Sequence, residues 1–493
     1  TQTADFLISE TRKLIGDSLA GRNESDFIQE FQSYWRCLPT FSAKKFWSLL
    51  KPESPMRCVR YYAATGFTLF GESDDEIKLW LKNYCGGSLP KGFNTKPTVL
   101  IWLREPLLPK RYPNTAHDIL LLARDSSPNT DVFLESVIPR EAGSLPLVFG
   151  FHTGNGPVLA GIQVPEPKTA NRSNPTKQRN CRNDGFRAGH VPNKLLVARY
   201  FSETKLSLSK VTRVDAAWCL QRGGSGYDSE LLSKRVAIVG CGSLGADVAS
   251  ILAKSGVGRF VLIDSDLLAW ENIARHLLGG EAVGEAKASA LANHLSRQMP
   301  WLETSYKSQK VETIVYERPK TLQECDLVIS TTGDWASDCI LNSAQRTFAR
   351  FPPLIFGWTE PFGIAGHALA VLREGGCLAC GTSEFGVFES RVTDWPEGRQ
   401  PLVQATGCSD FYQPYGVADV APTKAVIAEM ALDILYGRIR AGELRTWVGN
   451  TSRLESLGGR FNAKWSEELS VANSGRRTFI QPWPINPKCP LCN

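Results

Sequence analysis

Long apolar runs are missing from this 493-residue chain. None reaches the roughly 18–20 residues needed to cross a bilayer, so no membrane association is expected. The leading residues, Thr1-Gln-Thr-Ala-Asp-Phe6, lack the basic-then-apolar layout of a secretory signal. No basic stripe interleaved with aromatics occurs, and a net charge of +6 is modest for the length, which argues against nucleic-acid binding. A disulfide framework is absent too: the thirteen cysteines are odd in number and fall in CxxC pairs or singly in apolar settings. A reducing, cytoplasmic location is the expectation.

What is present is ordinary for a soluble globular protein of two or three domains, with enough apolar content for sizeable cores. The stretch from Arg235 to Asp334 organises the rest. Arg235-Val-Ala-Ile-Val239 reads as a buried strand, Gly240-Cys-Gly-Ser-Leu-Gly245 follows at once, and Ala246 to Lys254 has helical spacing. A strand feeding a glycine turn that opens a helix aims backbone N–H groups and the positive end of the helix dipole at one point, where a phosphate can sit. Gly240 serves the tight turn, Gly242 the approach of phosphate, and Gly245 the packing of helix on strand. The turn alone admits NAD, FAD, ATP, a methyl donor or a structural role.

The residues behind it discriminate. A second strand, Phe260-Val-Leu-Ile263, ends in Asp264-Ser-Asp266, where an acidic residue is placed for ribose hydroxyls. The chain continues with Asn272 and Arg275, then Lys287, and a third strand, Leu327-Val-Ile-Ser330, leads to Thr331-Thr-Gly-Asp334. Asparagine, two cations and a carboxylate suit a triphosphate with Mg²⁺, where the cations offset phosphate charge and the carboxylate holds metal. Hydride transfer has little use for them.

Asp264-x-Asp266, Asn272-x-x-Arg275, Gly284-x-x-Lys287 and Asp334, spaced behind Gly-x-Gly-x-x-Gly, resemble the adenylation domain of E1 enzymes: the ThiF/MoeB sulfur-carrier activators and the ubiquitin-activating enzymes. The resemblance covers about Arg213 to Asn493. It implies an α/β, Rossmann-like adenylation domain over 211–493 that binds ATP, and a homodimer in which an arginine from the partner copy reaches the γ-phosphate. Arg213 and Arg222, just ahead of the glycine strand, are the candidates for that arginine.

Residues 1–210 read as an α+β domain with antiparallel meander character. Phe27, Ile28, Phe31, Tyr34 and Trp35 mark an amphipathic helix, and Asp74 to Tyr84 has helix spacing. Strand-like runs are Val59–Phe70, Thr98–Leu103, Ile119–Leu122, Leu147–Phe151 and Val158–Val164. His152-Thr-Gly-Asn-Gly-Pro157 reads as a hairpin loop, and 165–183 as a loop by its Pro, Asn, Lys and Arg content. This half resembles the E2-like, ubiquitin-conjugating-type domain fused ahead of an E1 domain in bacteria, although no His-Pro-Asn signature surrounds any cysteine. Cys181, flanked by Arg179 and Arg182, is the candidate transfer cysteine; a domain without transfer chemistry is the alternative. Cys37, Cys58 and Cys85 are expected to be packing residues, and Cys219, Cys241, Cys325 and Cys339 structural ones.

Two CxxC pairs, Cys377/Cys380 and Cys489/Cys492, can close a tetrahedral structural Zn²⁺ site, and the family resemblance also places one pair in mid-domain and one near the C-terminus. Cys408 follows a long polar connection, Thr382 to Thr406, and precedes a helix-like stretch, 425–435. The resemblance makes it the thioester-forming cysteine of the crossover loop. The implied activity is adenylation of the C-terminus of a ubiquitin-like protein by ATP and its capture on Cys408, with transfer to Cys181 if the N-terminal domain is active. Conjugation in bacterial antiviral defence is one setting for it. A sulfur-carrier adenylyltransferase, an NAD-dependent oxidoreductase and a non-catalytic scaffold are the competing readings.

Overall fold

The computed structural model describes residues 2–492 apart from 140, 142, 172–173, 188, 222–228, 384–386, 397–400, 405–410 and 473–475. The chain divides into two units, Thr1–Leu81 with Leu89–Cys219, and Lys82–Ser88 with Leu220–Asn493. The expected 210/211 boundary falls inside the strand Ser207–Arg213, which places Arg213 in the first unit. Among the described residues, no helix is long and apolar enough to cross a membrane.

Seven strands of the first unit close on themselves in the order Lys45–Ser48, Phe67–Gly71, Arg57–Ala63, Lys96–Trp102, Leu145–Thr153, Gly156–Val164, Ser207–Arg213. Alternation along the strands fills two cores. Phe46, Val59, Phe70, Leu100 and Val148 share one cluster, while Val99, Ile101, Leu147 and Phe149 pack with the helices in the other. Phe31 and Trp35 anchor that second core edge-on against Phe149, and the expected helix there is two short ones, Glu24–Gln29 and Phe31–Arg36.

The sheet is not a pure antiparallel meander: three of its pairings are parallel, those of Lys45–Ser48 with its two neighbours and of Lys96–Trp102 with Leu145–Thr153. Parallel neighbours need a crossover, and part of the crossover between the last two is a segment expected to be a strand. Ile119–Leu122 lies in the helix Ala116–Ser126, started by a capping box in which Thr115 Oγ1 accepts from the Asp118 N–H and the Asp118 carboxylate accepts from the Thr115 N–H. A four-residue apolar run has no readable period, so the cap decides. The expected loop 165–183 contains a hairpin, Lys168–Asn171 with Asn174–Asn180, and the loop expected at 152–157 is the tight turn between Leu145–Thr153 and Gly156–Val164. Cys37, Cys58 and Cys85 are exposed rather than packed. For Cys58 the reason is the pleat, which turns Val59 and Tyr61 inward and Cys58 out.

The second unit is an eight-stranded sheet in the order Glu303–Lys307, Arg259–Ile263, Arg235–Val239, Leu327–Ser330, Leu354–Thr359, Ala365–Val371, Glu443–Val448, Arg477–Pro482. The first five are parallel and the last three antiparallel. Val236 and Ile238 feed a core on one face, Ala237 and Val239 a core on the other, as expected for a sheet covered by helices on both sides. By sequence the parallel strands run 3-2-1-4-5, so the order reverses between Arg235–Val239 and Leu327–Ser330. In such sheets ligands bind outside the strand ends at that reversal. The helix Val417–Leu435 starts eight residues earlier than its spacing suggested, and buried Lys424 on it bonds Asp247 of the helix Gly245–Lys254.

Candidate active site

The glycine turn sits at the reversal point. Gly240 has φ +84°, a conformation that side chains with a Cβ rarely adopt, and a Cβ on Gly245 would stand 1.9 Å from the Gly240 carbonyl oxygen. Thr331 closes the turn from the neighbouring strand: its N–H donates to the Val239 carbonyl at 2.8 Å and its hydroxyl to the Gly240 carbonyl at 2.8 Å.

Two cavities flank the turn. The first, about 280 Å³, is lined by Gly242, Asn272, Arg275 and Lys287, together with Ser243, His276, Trp358, Gln413 and Tyr415. The second, about 240 Å³, is lined by Gly240, Asp264, Asp266 and Asp334, together with Lys310, Glu312 and Ser337. Thr332 lines both. The cationic candidates therefore share one cavity and the acidic candidates the other. Lys287 and Asp266 join them through an ion pair of 2.9 Å.

Local structure orients each group. Asp264 accepts the Cys241 N–H at 2.7 Å on one oxygen and the Asp266 N–H at 2.8 Å on the other, which braces the turn from the end of the second strand. Burial raises its pKa, with the two backbone donors working against that shift. Asn272 and Arg275 sit on a 3₁₀ turn, Trp270–Asn272, and the residues after it. The Asn272 side-chain carbonyl accepts the Ala269 N–H, and Arg275 donates to the Glu271 carbonyl at 2.9 Å. His276 accepts the Leu278 N–H on Nδ1, which leaves Nε2 to carry the proton and donate to the Cys241 carbonyl at 2.7 Å. Burial lowers its pKa and favours that neutral form. Asp334 caps the helix Trp335–Thr347, accepting the Ser337 N–H and hydroxyl at 2.8 and 2.7 Å; these bonds hold its pKa below the usual range and keep it ionised.

Among the described residues, neither Arg213 nor Cys181 lines these cavities. Arg213 forms a two-point ion pair with Asp215 at 2.8 Å and covers the Trp218 ring. Arg222 and Cys408 lie outside the described residues. Cys181 is half-buried at the foot of the 168–180 hairpin, its N–H bonded to the Pro167 carbonyl, while buried Arg182 turns its guanidinium to the Pro139 carbonyl. Cys241 and Cys325 are buried, and burial raises both thiols, Cys325 to about 12.

The four paired cysteines converge. The Sγ atoms of Cys377, Cys380, Cys489 and Cys492 lie within 4.8 Å of one another, with Cys377–Cys489 and Cys380–Cys492 both 3.6 Å apart. A tetrahedron with zinc–sulfur bonds of about 2.3 Å has edges of about 3.8 Å, so the donor set fits. The Trp483 indole N–H donates to the Cys377 carbonyl at 2.9 Å and holds the C-terminal segment against the first pair.

Sequence spacing did not single out His276, Ser243, Thr332, Glu312, Tyr415 or Trp358. Thr332 sits just behind the strand Leu327–Ser330 and Glu312 in the first turn of the helix Val311–Glu317. Tyr415 and Trp358 arrive from distant segments and carry no local signal.

Residues 219–454 match the model of the ThiF family. The ATP-dependent ubiquitin transferase-like protein Cap2 of Vibrio cholerae is 31% identical over 238 residues, 46% of this chain and 39% of that protein. The mouse adenylyltransferase and sulfurtransferase MOCS3 is 30% identical over 258 residues, 52% of this chain and 50% of that protein. The match thus spans half or less of the length of these relatives. Among solved structures, E. coli MccB with ATP aligns at 18% identity and a TM-score of 0.36, over 54% of this chain and 68% of that one. Sheet order, glycine turn and family match together identify a ThiF-family domain at residues 219–454, in a chain similar to Cap2 over that region.

Proposed function

We infer that the chain activates a carboxyl terminus with ATP. The observation that carries this reading is the split site: a cationic cavity with Asn272, Arg275 and Lys287, and an acidic one with Asp264, Asp266 and Asp334, joined across one glycine turn. A redox dinucleotide needs no such pair of cations; a triphosphate does. Nucleoside fits the acidic side, where Asp264 would orient the ribose, and phosphates fit the cationic side. Asp334 is a hard carboxylate donor and suits Mg²⁺, which when bound would offset phosphate charge.

A carboxylate oxygen of the partner protein attacks the α-phosphorus of ATP, the bond to the bridging oxygen breaks, and pyrophosphate leaves. Arg275 and Lys287 stabilise the charge gathered on the phosphates. The Cys408 thiolate then attacks the acyl carbonyl and AMP departs, leaving a thioester. Passage of the acyl group to Cys181, a homodimer with Arg213 or Arg222 acting on the partner copy's nucleotide, and a structural Zn²⁺ on the four clustered cysteines belong to the same reading. So does conjugation, supported by the likeness to the ubiquitin transferase-like Cap2 proteins, with antiviral defence as its proposed setting.

The likeness to MOCS3 favours one second reading, adenylation of a sulfur carrier. The two share the first step and diverge in product: a reducible protein adduct for conjugation, a C-terminal thiocarboxylate for sulfur transfer. The test of the shared step is carrier-dependent ATP–pyrophosphate exchange. Asp334→Ala should lower it about 100-fold or more, the scale for losing a preorganised charged group. Unchanged exchange removes Asp334 from the reaction.

A further inference from the structure

Tyr415 lines the cationic cavity but belongs to none of the motifs that identify the site. Its hydroxyl lies 2.7 Å from Ser243 Oγ, inside the glycine turn. Its ring carries the Arg275 guanidinium at 5.6 Å from the centroid, within the range of a cation–π contact. One side chain therefore touches both the turn that would cradle phosphate and the arginine that would neutralise it.

The backbone on either side of Tyr415 is tied down. The preceding carbonyl, of Pro414, accepts the Phe362 N–H at 2.9 Å. The following N–H, of Gly416, donates to Asp419 at 3.0 Å, and Asp419 is in turn clamped by Arg453. A ring held at both ends of its own residue and again at its hydroxyl can fix a guanidinium that would otherwise sample many rotamers. Arg275 has one further anchor, the Glu271 carbonyl, so its fork is steered between two fixed points.

We propose that Tyr415 is a positioning residue that holds Arg275 in place for the phosphates of a bound nucleotide. This rests on the nucleotide reading above. It goes further in assigning the orientation of Arg275 to the segment that leads into the helix Val417–Leu435.

Calorimetric titration of the full chain with MgATP tests it. Tyr415→Ala should weaken MgATP binding about tenfold, because a displaced guanidinium forfeits much of its effect. Tyr415→Phe and Ser243→Ala, which keep the ring but free its tip, should each cost about threefold. The deciding measurement is the double variant: if Tyr415 acts through Arg275, Tyr415→Ala adds no loss in an Arg275→Ala background, whereas losses that multiply in full overturn the proposal. If Tyr415→Ala does not fold, Tyr415→Phe in the Arg275→Ala background gives the same decision. A wild-type chain that takes up no MgATP would instead overturn the nucleotide reading, and is distinguished from a failure of Tyr415 alone by that baseline.

Discussion

The Asp264 carboxylate accepts the Cys241 N–H at 2.7 Å, so the end of the second strand is bolted to the glycine turn that follows the first. Its other oxygen is occupied by the Asp266 N–H. Both oxygens thus shape the turn, and Asp266 is left more exposed on the cavity wall.

Asp264→Ala orphans two backbone donors in a partly buried place, and each costs about 1–3 kcal/mol. Unfolding by urea should show a loss of about 2–4 kcal/mol, while Asp264→Asn, which keeps one acceptor oxygen, should lose less than half of that. Equal midpoints for wild type and the alanine variant would remove the brace.

Asp338 gives the fold a pH response. Its Oδ1 accepts the Ser330 hydroxyl at 2.5 Å and the Thr332 hydroxyl at 3.2 Å, and burial raises its pKa to about 6 against the pull of those donors. The residue is half-buried, with its carboxylate against these two hydroxyls. A carboxylate whose folded pKa is raised contributes stability that is complete below its unfolded pKa, near 4, and is lost as pH rises through about 6. Between pH 4 and pH 7 wild type should lose about 2 kcal/mol relative to Asp338→Asn. Parallel stability curves for the two proteins would contradict this.

The cysteine cluster should hold one Zn²⁺ per chain. Four thiolates leave no open position, so the metal would bind the C-terminal segment to the sheet without entering the chemistry. Elemental analysis well below one zinc per chain would refute the site. Cys492→Ser should lower the thermal midpoint while nucleotide binding persists, because the cluster shares no lining residue with either cavity.

Cys408→Ala should preserve ATP–pyrophosphate exchange and abolish a thiol-reducible adduct with the carrier. Adenylation precedes thioester capture, so the two readouts separate. An adduct that survives the substitution assigns the thioester to another cysteine, and mapping it in a Cys181→Ala chain would show whether the first unit takes part.

The second unit was largely legible. The strands Arg235–Val239 and Leu327–Ser330 have the expected bounds, and Gly240, Asp264, Asn272, Arg275, Lys287 and Asp334 all line the two cavities. Gly240, Asp264, Lys287 and Asp334 follow a strand end or open a helix, and Asn272 and Arg275 lie on a 3₁₀ turn and the residues after it, so their positions are fixed by local chain geometry that spacing can encode. The first half was less legible. Ile119–Leu122 was too short to show a period, and closure of seven strands depends on pairings such as Phe46 with Val211, far apart in sequence.

By itself the sequence determined the glycine turn, the order of chemical groups behind it and the two cysteine pairs, because these depend on contacts within a few residues. Only the tertiary structure decided that cations and carboxylates occupy separate cavities, that Asp264 braces the turn and that Tyr415 meets Arg275. The pairing of Arg235–Val239 with both Arg259–Ile263 and Leu327–Ser330 and the return of the chain at Pro414 create those meetings, and no local pattern reports contacts between residues tens to more than a hundred positions apart.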